Sequence, residues 1–141
     1  YTITRQGKKA FRDWMHEPTD APVVRNELQL KFFLSSSLPT KESVRLIETH
    51  QLQQQALLDE YRHSEELLRN AMHQGEVVDE LNEILAISAS TSDLRRKQLN
   101  TFYLTLRHGI RVIEARLAWC EEVIAELNGT STASDASKKA N

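Results

Sequence analysis

Hydrophobic positions along this chain recur every three or four residues, and the longest such series sits near the C-terminal end. Leu99, Phe102, Leu106, Ile110, Ile113, Leu117, Cys120, Ile124 and Leu127 follow one another at spacings of three or four throughout. That is the period of one buried seam on a helix, sustained over about four heptads. An earlier series, Val44, Ile47, Gln51, Gln54, Leu58, Tyr61, Glu65, Leu68 and Met72, keeps the same spacing but places Gln51, Gln54 and Glu65 in the seam. The spacing predicts one helix from about Thr40 to His73 and another from about Asp93, as its cap, to Leu127.

Helix breakers fall where these elements need them. All three prolines (Pro18, Pro22, Pro39) lie in the first 39 residues. Neither proline nor glycine occurs between Thr40 and Gln74, and only Gly109 interrupts 76–128. Both residues oppose helix interiors, so their absence permits two very long helices, with Gly75 and Asn128-Gly129 as stops. Before them, Tyr1 to Thr4 alternates like a strand, and Thr4 caps a short helix reaching His16, with Phe11 and Trp14 on one face. HEPTDAP connects to a second short helix, Val24 to Leu34, apolar on most sides and therefore buried. Residues 75–92 read as a short helix at Asp79 to Ala86 followed by a Ser/Thr-rich loop. The tail TSTASDASKKAN has the composition of disorder.

The expected fold is all-α, with the two long helices antiparallel. A two-helix hairpin leaves one apolar face uncovered, and a second copy would cover it, giving a coiled-coil-like, intertwined homodimer. Leu99, Phe102, Leu106, Ile110, Ile113, Leu117, Cys120 and Ile124 are the residues expected at that interface. Composition agrees: 40% hydrophobic and 27% charged residues over 141 positions suit a thin protein that completes its core with a partner. The domain reading is 1–17 for a linker helix and what precedes it, 18–128 for the helical dimerisation unit, and 129–141 for the tail.

Charge and chemistry narrow the function. Net charge is −2, so no global basic field argues for nucleic-acid binding by this piece alone. A single cysteine, Cys120, excludes a disulfide framework within one chain. The five histidines (His16, His50, His63, His73, His108) show no metal-ligand spacing, so no cofactor or metal is expected. Glu65-Glu66 and Glu121-Glu122 are neighbours on a helix and point about 100° apart, which unfits them for sharing a proton. With no phosphate loop or nucleophile elbow either, the chain does not read as an enzyme. No apolar run reaches membrane-spanning length and no signal peptide opens the chain, so the expected location is cytoplasmic.

Two basic clusters stand out: Arg5, Lys8, Lys9 and Arg12 on the first helix, and Arg95, Arg96 and Lys97 opening the last. The first is a candidate for phosphate contact beside an adjoining DNA-binding module, although a solvated face is the common fate of such runs. Trp14, Tyr103 and Trp119, together with Phe32 and Phe33, are candidate walls of a pocket for a flat effector, with Arg107 or His108 as its charged end. Aromatics at helical spacing are more often core.

The opening segment Tyr1-x-Ile3-Thr4-x-x-Gly7-x-x-x-Phe11-x-x-Trp14 resembles the wing-end signature of PadR-type transcriptional regulators, Y-x-L-T-x-x-G-x-x-x-L-x-x-W, with Ile3 and Phe11 in place of leucines. Arg25-x-x-Leu28-x-Leu30-Lys31-x-Phe33 resembles the helix that follows the proline-rich connector in that family. Gly109-Ile110 with Glu114, Leu117 and Trp119 is similar to its final dimerisation helix. The resemblance runs in order over about residues 1 to 127. It implies a bacterial regulator, commonly a repressor, whose N-terminal winged helix binds operator DNA and whose C-terminal helices dimerise; some members respond to small aromatic effectors. On that reading Tyr1 to Thr4 is the residual last strand of a wing, and DNA would be read by a domain not contained in this chain. The alternative is a helical scaffold or adaptor dimer with no DNA partner.

Overall fold

The structure, a computed structural model, describes residues 3–21, 26–74 and 92–139. Four α-helices are present among them: α1 (Arg5–His16), α2 (Glu27–Leu34), α3 (Thr40–Gln74) and α4 (Ser92–Lys139), with a 3-10 turn at Ser35–Ser37. The all-α expectation holds.

Local chemistry sets the ends of the short elements. The Thr4 hydroxyl accepts the Gly7 N–H at 3.1 Å and starts α1. Glu17 closes it with extended backbone (ψ 142°), because a residue before proline is pushed out of the helical region. The wing strand expected at Tyr1 to Thr4 is not observed: Tyr1 and Thr2 lie outside the described residues, and Ile3 and Thr4 form no strand. No strand stands beside them among the described residues, and Thr4 serves as a cap instead. The start expected for α2 at Val24 also moves, since Asn26 is extended and its side chain accepts the Gln29 N–H at 3.3 Å. An asparagine that bonds the first turn in this way stands outside the helix it caps.

The corner between α2 and α3 is pinned by two buried serines. The Ser35 and Ser43 hydroxyls lie 2.8 Å apart, and the Ser35 hydroxyl donates to the Phe32 carbonyl at 2.7 Å. Each buried hydroxyl is thereby satisfied.

Helices α3 and α4 lie antiparallel and carry the core. Leu58 packs with Ile110, Ile113 and Leu117, whereas Leu68 and Ala71, further along α3, pack with the earlier Leu99. Ile47 and Cys120 are fully buried. Gly109 is where the two helices approach most tightly at a glycine, with the Tyr61 ring filling the space of its absent side chain. Arg62 bridges to Glu114 across the pair at 3.4 Å, and Arg111 joins the same carboxylate at 3.0 Å.

Two ends of α4 differ from expectation. Asp93 sits inside the first turn rather than capping it, and the helix continues through Asn128-Gly129 to Lys139. Gly129 does not take the left-handed backbone that ends helices. A glycine in an ordinary helical position costs only about 1 kcal/mol, which one residue in a long helix can bear. The short helix expected at Asp79 to Ala86 lies outside the described residues.

Candidate functional site

On the flank of the α3–α4 pair, α2 lies across both helices and encloses an open cleft of about 1120 Å³. Its construction follows from spacing. On α3, Leu46, Thr49, His50 and Gln53 line the cleft, and on α4, Val112, Ala115, Arg116 and Trp119 do so. Both sets fall at i, i+3, i+4 and i+7, so each is one face of its helix, beside the core seam rather than within it. From α2, Leu28 and Lys31 close the third side.

Three side chains give the cleft its chemistry. Trp119 is half-buried and meets the edge of Phe32 from α2, with ring centroids 6.0 Å apart and planes at 87°. Arg116 donates to the side-chain oxygen of the buried Gln54 at 3.4 Å. His50 is half-buried; its burial and then the charge of Arg116 hold its imidazole below the usual histidine range. Glu27 at the rim is drawn below the usual carboxylate range by its hydrogen bond to Lys31 and by that residue's charge, the two ends standing 2.6 Å apart.

The residues singled out in the sequence are distributed differently. Trp119 is the one member of the aromatic set Trp14, Tyr103, Arg107 and Trp119 that reaches the cleft. Tyr103 and Arg107 form a cation–π pair at 5.7 Å near the other end of the helix pair. Tyr103 and Trp119 are 16 residues apart on one continuous helix, a rise of about 24 Å, so no single small pocket holds both. Trp14 lies exposed on α1 beside Phe11, at 6.2 Å between centroids. His50 and Arg116 were not among the predicted site residues. The paired i, i+3, i+4, i+7 ledges were their signal, and those gain meaning only once α2 is placed over them.

The residues expected at a dimer interface are also accounted for. Leu99, Ile110, Ile113, Leu117 and Cys120 are buried within a single chain, and Phe102 and Leu106 lie half-buried against the same clusters. The chain's own α3 covers much of the seam that periodicity offered to a second copy. Ile124 is half-buried. What one chain leaves open lies elsewhere: Phe11, Trp14 and Met15 on α1, and Leu30, Phe33 and Leu34 on α2, are all more than half exposed. The basic residues Arg5, Lys8, Lys9 and Arg12 run along the flank of that apolar face of α1, all exposed, with Lys9 paired to Asp13 at 2.7 Å. Among the described residues no group of His, Cys, Asp and Glu is placed to hold a metal ion, and no helix is long and apolar enough to cross a membrane.

Comparison with known proteins places this arrangement. A chain from the crystal structure of Bacillus subtilis PadR in complex with operator DNA matches 90% of this chain at 25% identity, with a TM-score of 0.62. The Vibrio cholerae virulence activator AphA matches 92% of it, also at 25% identity, with a TM-score of 0.57. This chain spans 60% and 65% of those two solved chains, respectively. No curated protein sequence matches significantly. The family described as virulence activator alpha C-term matches residues 24–128, and the chain belongs to that family.

Proposed function

We propose that this chain is the dimerisation domain of a PadR-like DNA-binding transcriptional regulator, with residues 18–128 forming the dimerising unit. The observation that carries the reading is the apolar surface one chain leaves uncovered. Along α2, Phe33 is 76% exposed, Leu30 60% and Leu34 59%, and α1 buries none of its residues. Leu30, Phe33 and Leu34 share one face of α2, and an exposed apolar face of this kind marks an interface. A second copy laid against α2 and α1 would cover it, with Phe102, Leu106 and Ile124 at the margin of the seam adding to the contact.

In the full-length protein this unit would hold two DNA-binding heads at a fixed spacing on operator DNA in the cytoplasm. Arg5, Lys8, Lys9 and Arg12 would meet phosphates beside the head, which supports register rather than sequence reading. Effector sensing belongs to the same reading, with a small aromatic ligand as the expected signal. Repression is the sign we propose, on the resemblance to PadR-type regulators. A reporter that falls on deletion of the gene would make it an activator, as AphA is described.

The test is a fusion to a DNA-binding head that represses only as a dimer. The fusion should restore repression, and Phe33→Asp should abolish it, because an unpaired buried carboxylate costs several kcal/mol at an interface. Wild-type fusion without repression, with the protein present and helical, would overturn the reading.

A further inference from the structure

The seam between α3 and α4 is largely aliphatic and repeats every heptad, so apolar burial alone does not choose one alignment of the two helices. A slide of one heptad, about 10.5 Å, would again set aliphatic side chains against aliphatic side chains. Two contacts break that degeneracy. Tyr61 lays its ring where Gly109 has no side chain, so close that an added Cβ would stand 2.7 Å from the ring. Gln54 is 8% exposed, between the buried Ile47 and Leu58 of the same seam, and its side-chain oxygen accepts from Arg116 at 3.4 Å. Gln54 precedes Tyr61 by one heptad on α3, and Arg116 follows Gly109 by one heptad on α4. In antiparallel helices the two contacts are therefore consecutive layers of a single alignment. Either slide spoils both. In one direction Tyr61 meets Phe102 in place of Gly109, and the buried amide of Gln54 faces the glycine. In the other, Gln54 faces Val123, and Tyr61 leaves the glycine for Arg116. Each time a buried amide loses its polar partner, a penalty that an apolar residue at that position would not carry.

The alignment matters beyond the seam because α2 rests on both helices. Ser35 at its end bonds Ser43 of α3, and Phe32 meets Trp119 of α4. The ledges beneath it run from Leu46 to Gln53 on α3 and from Val112 to Trp119 on α4, each about 10.5 Å long. A slide of one heptad displaces one ledge by its full length and carries Trp119 away from Phe32. We propose that Gln54–Arg116 and Tyr61–Gly109 form a two-layer lock on the register of α3 against α4, and that this register positions α2. The lock acts within one chain. It rests on the dimerisation reading only for its consequence, that a displaced α2 no longer presents Leu30, Phe33 and Leu34 to a second copy.

The experiment reads register as a distance within the 141-residue chain. In a Cys120→Ala background, nitroxide labels on Leu52→Cys and Leu104→Cys, both exposed positions, are measured by double electron–electron resonance. Refolding with excess unlabelled chain confines the signal to pairs within one molecule. In the observed alignment the two sites are offset by about 21 Å along the helix pair, so a slide of one heptad should shift the distance by about 5–8 Å. Gln54→Leu and Gly109→Ala should each keep the parent distance, because one layer still holds. Gln54→Leu/Gly109→Ala and Gln54→Leu/Tyr61→Ala should each show a second, shifted distance and a larger share of single chains in sedimentation. One unshifted distance in both double variants, with helicity intact, would overturn the proposal. Loss of helicity in both would overturn it too, by making these residues supports of the fold and not of its alignment. A shifted distance at unchanged dimer mass would overturn the step from register to α2. A parent chain that sediments as a monomer counts against the dimerisation reading alone, since the distances are read within one chain.

Discussion

Replacing Gly109 with alanine sets two effects of opposite sign against each other on one residue. Inside a helix, alanine is favoured over glycine by about 1 kcal/mol. The new methyl carbon would stand 2.7 Å from Cε2 and 3.2 Å from Cδ2 of Tyr61. Carbon atoms rest at about 3.5–4.0 Å, so the ring must retreat by roughly 0.8 Å. It has little freedom to do so, because it packs against the cluster of Leu58, Ile110, Ile113 and Leu117. Overpacking of this kind costs about 1–3 kcal/mol, so Gly109→Ala should destabilise the chain by about 1 kcal/mol net. In a Tyr61→Ala background the obstruction is gone, and the same substitution should stabilise by about 1 kcal/mol. Urea unfolding at one fixed protein concentration, read by circular dichroism across the four-member cycle, measures both values. The reversal of sign is the result that matters. If alanine stabilised both backgrounds equally, the close approach of α4 to Tyr61 would be wrong.

Three further outcomes follow from the packing and the titrating groups. Leu58→Ala and Ile113→Ala, each at a site 3% exposed in the α3–α4 core, should cost about 2–5 kcal/mol in the same assay, whereas exposed Leu52→Ala should cost little. Cys120 is fully buried, and burial, followed by the charge of Glu121, pushes its thiol up. A thiol reagent should therefore label native protein far more slowly than urea-unfolded protein, and rapid native labelling would contradict its place in the core. The imidazole of His50 is held below its unfolded value, so in the window between the two the unfolded chain binds more protons. Stability from this residue is present above pH 6.5 and declines as pH falls toward the folded value, and His50→Gln should flatten that part of the pH profile.

Periodicity and capping chemistry made much of this fold legible. Thr4 capping α1, Glu17 stopping before Pro18, and α3 spanning a stretch free of proline and glycine were all readable from residue type and spacing. The start of α2 was misplaced because Val24 and Arg25 fit a helix as well as a loop, and the decision lay in the Asn26 side chain. The end of α4 was misplaced because glycine permits a stop without enforcing one. The seam at Leu99 to Ile124 illustrates a deeper limit. A 3-4 repeat says that a stripe is buried, but not whether the chain's own helix or a second copy buries it. Here α3 covers Ile110, Ile113 and Leu117, and α1 and α2 carry Phe11, Trp14, Met15, Leu30, Phe33 and Leu34 uncovered. The cleft was harder still, because His50 and Arg116 are 66 positions apart and meet only through the antiparallel pairing of α3 with α4.

The mass of the free chain in solution tests the central claim most directly. Sedimentation equilibrium from nanomolar to tens of micromolar should give twice the 16.2 kDa chain mass through the micromolar range, with Phe33→Asp shifting the population to single chains of unchanged helicity. A wild-type chain that sediments at 16.2 kDa at tens of micromolar, with its helices intact, would contradict the account.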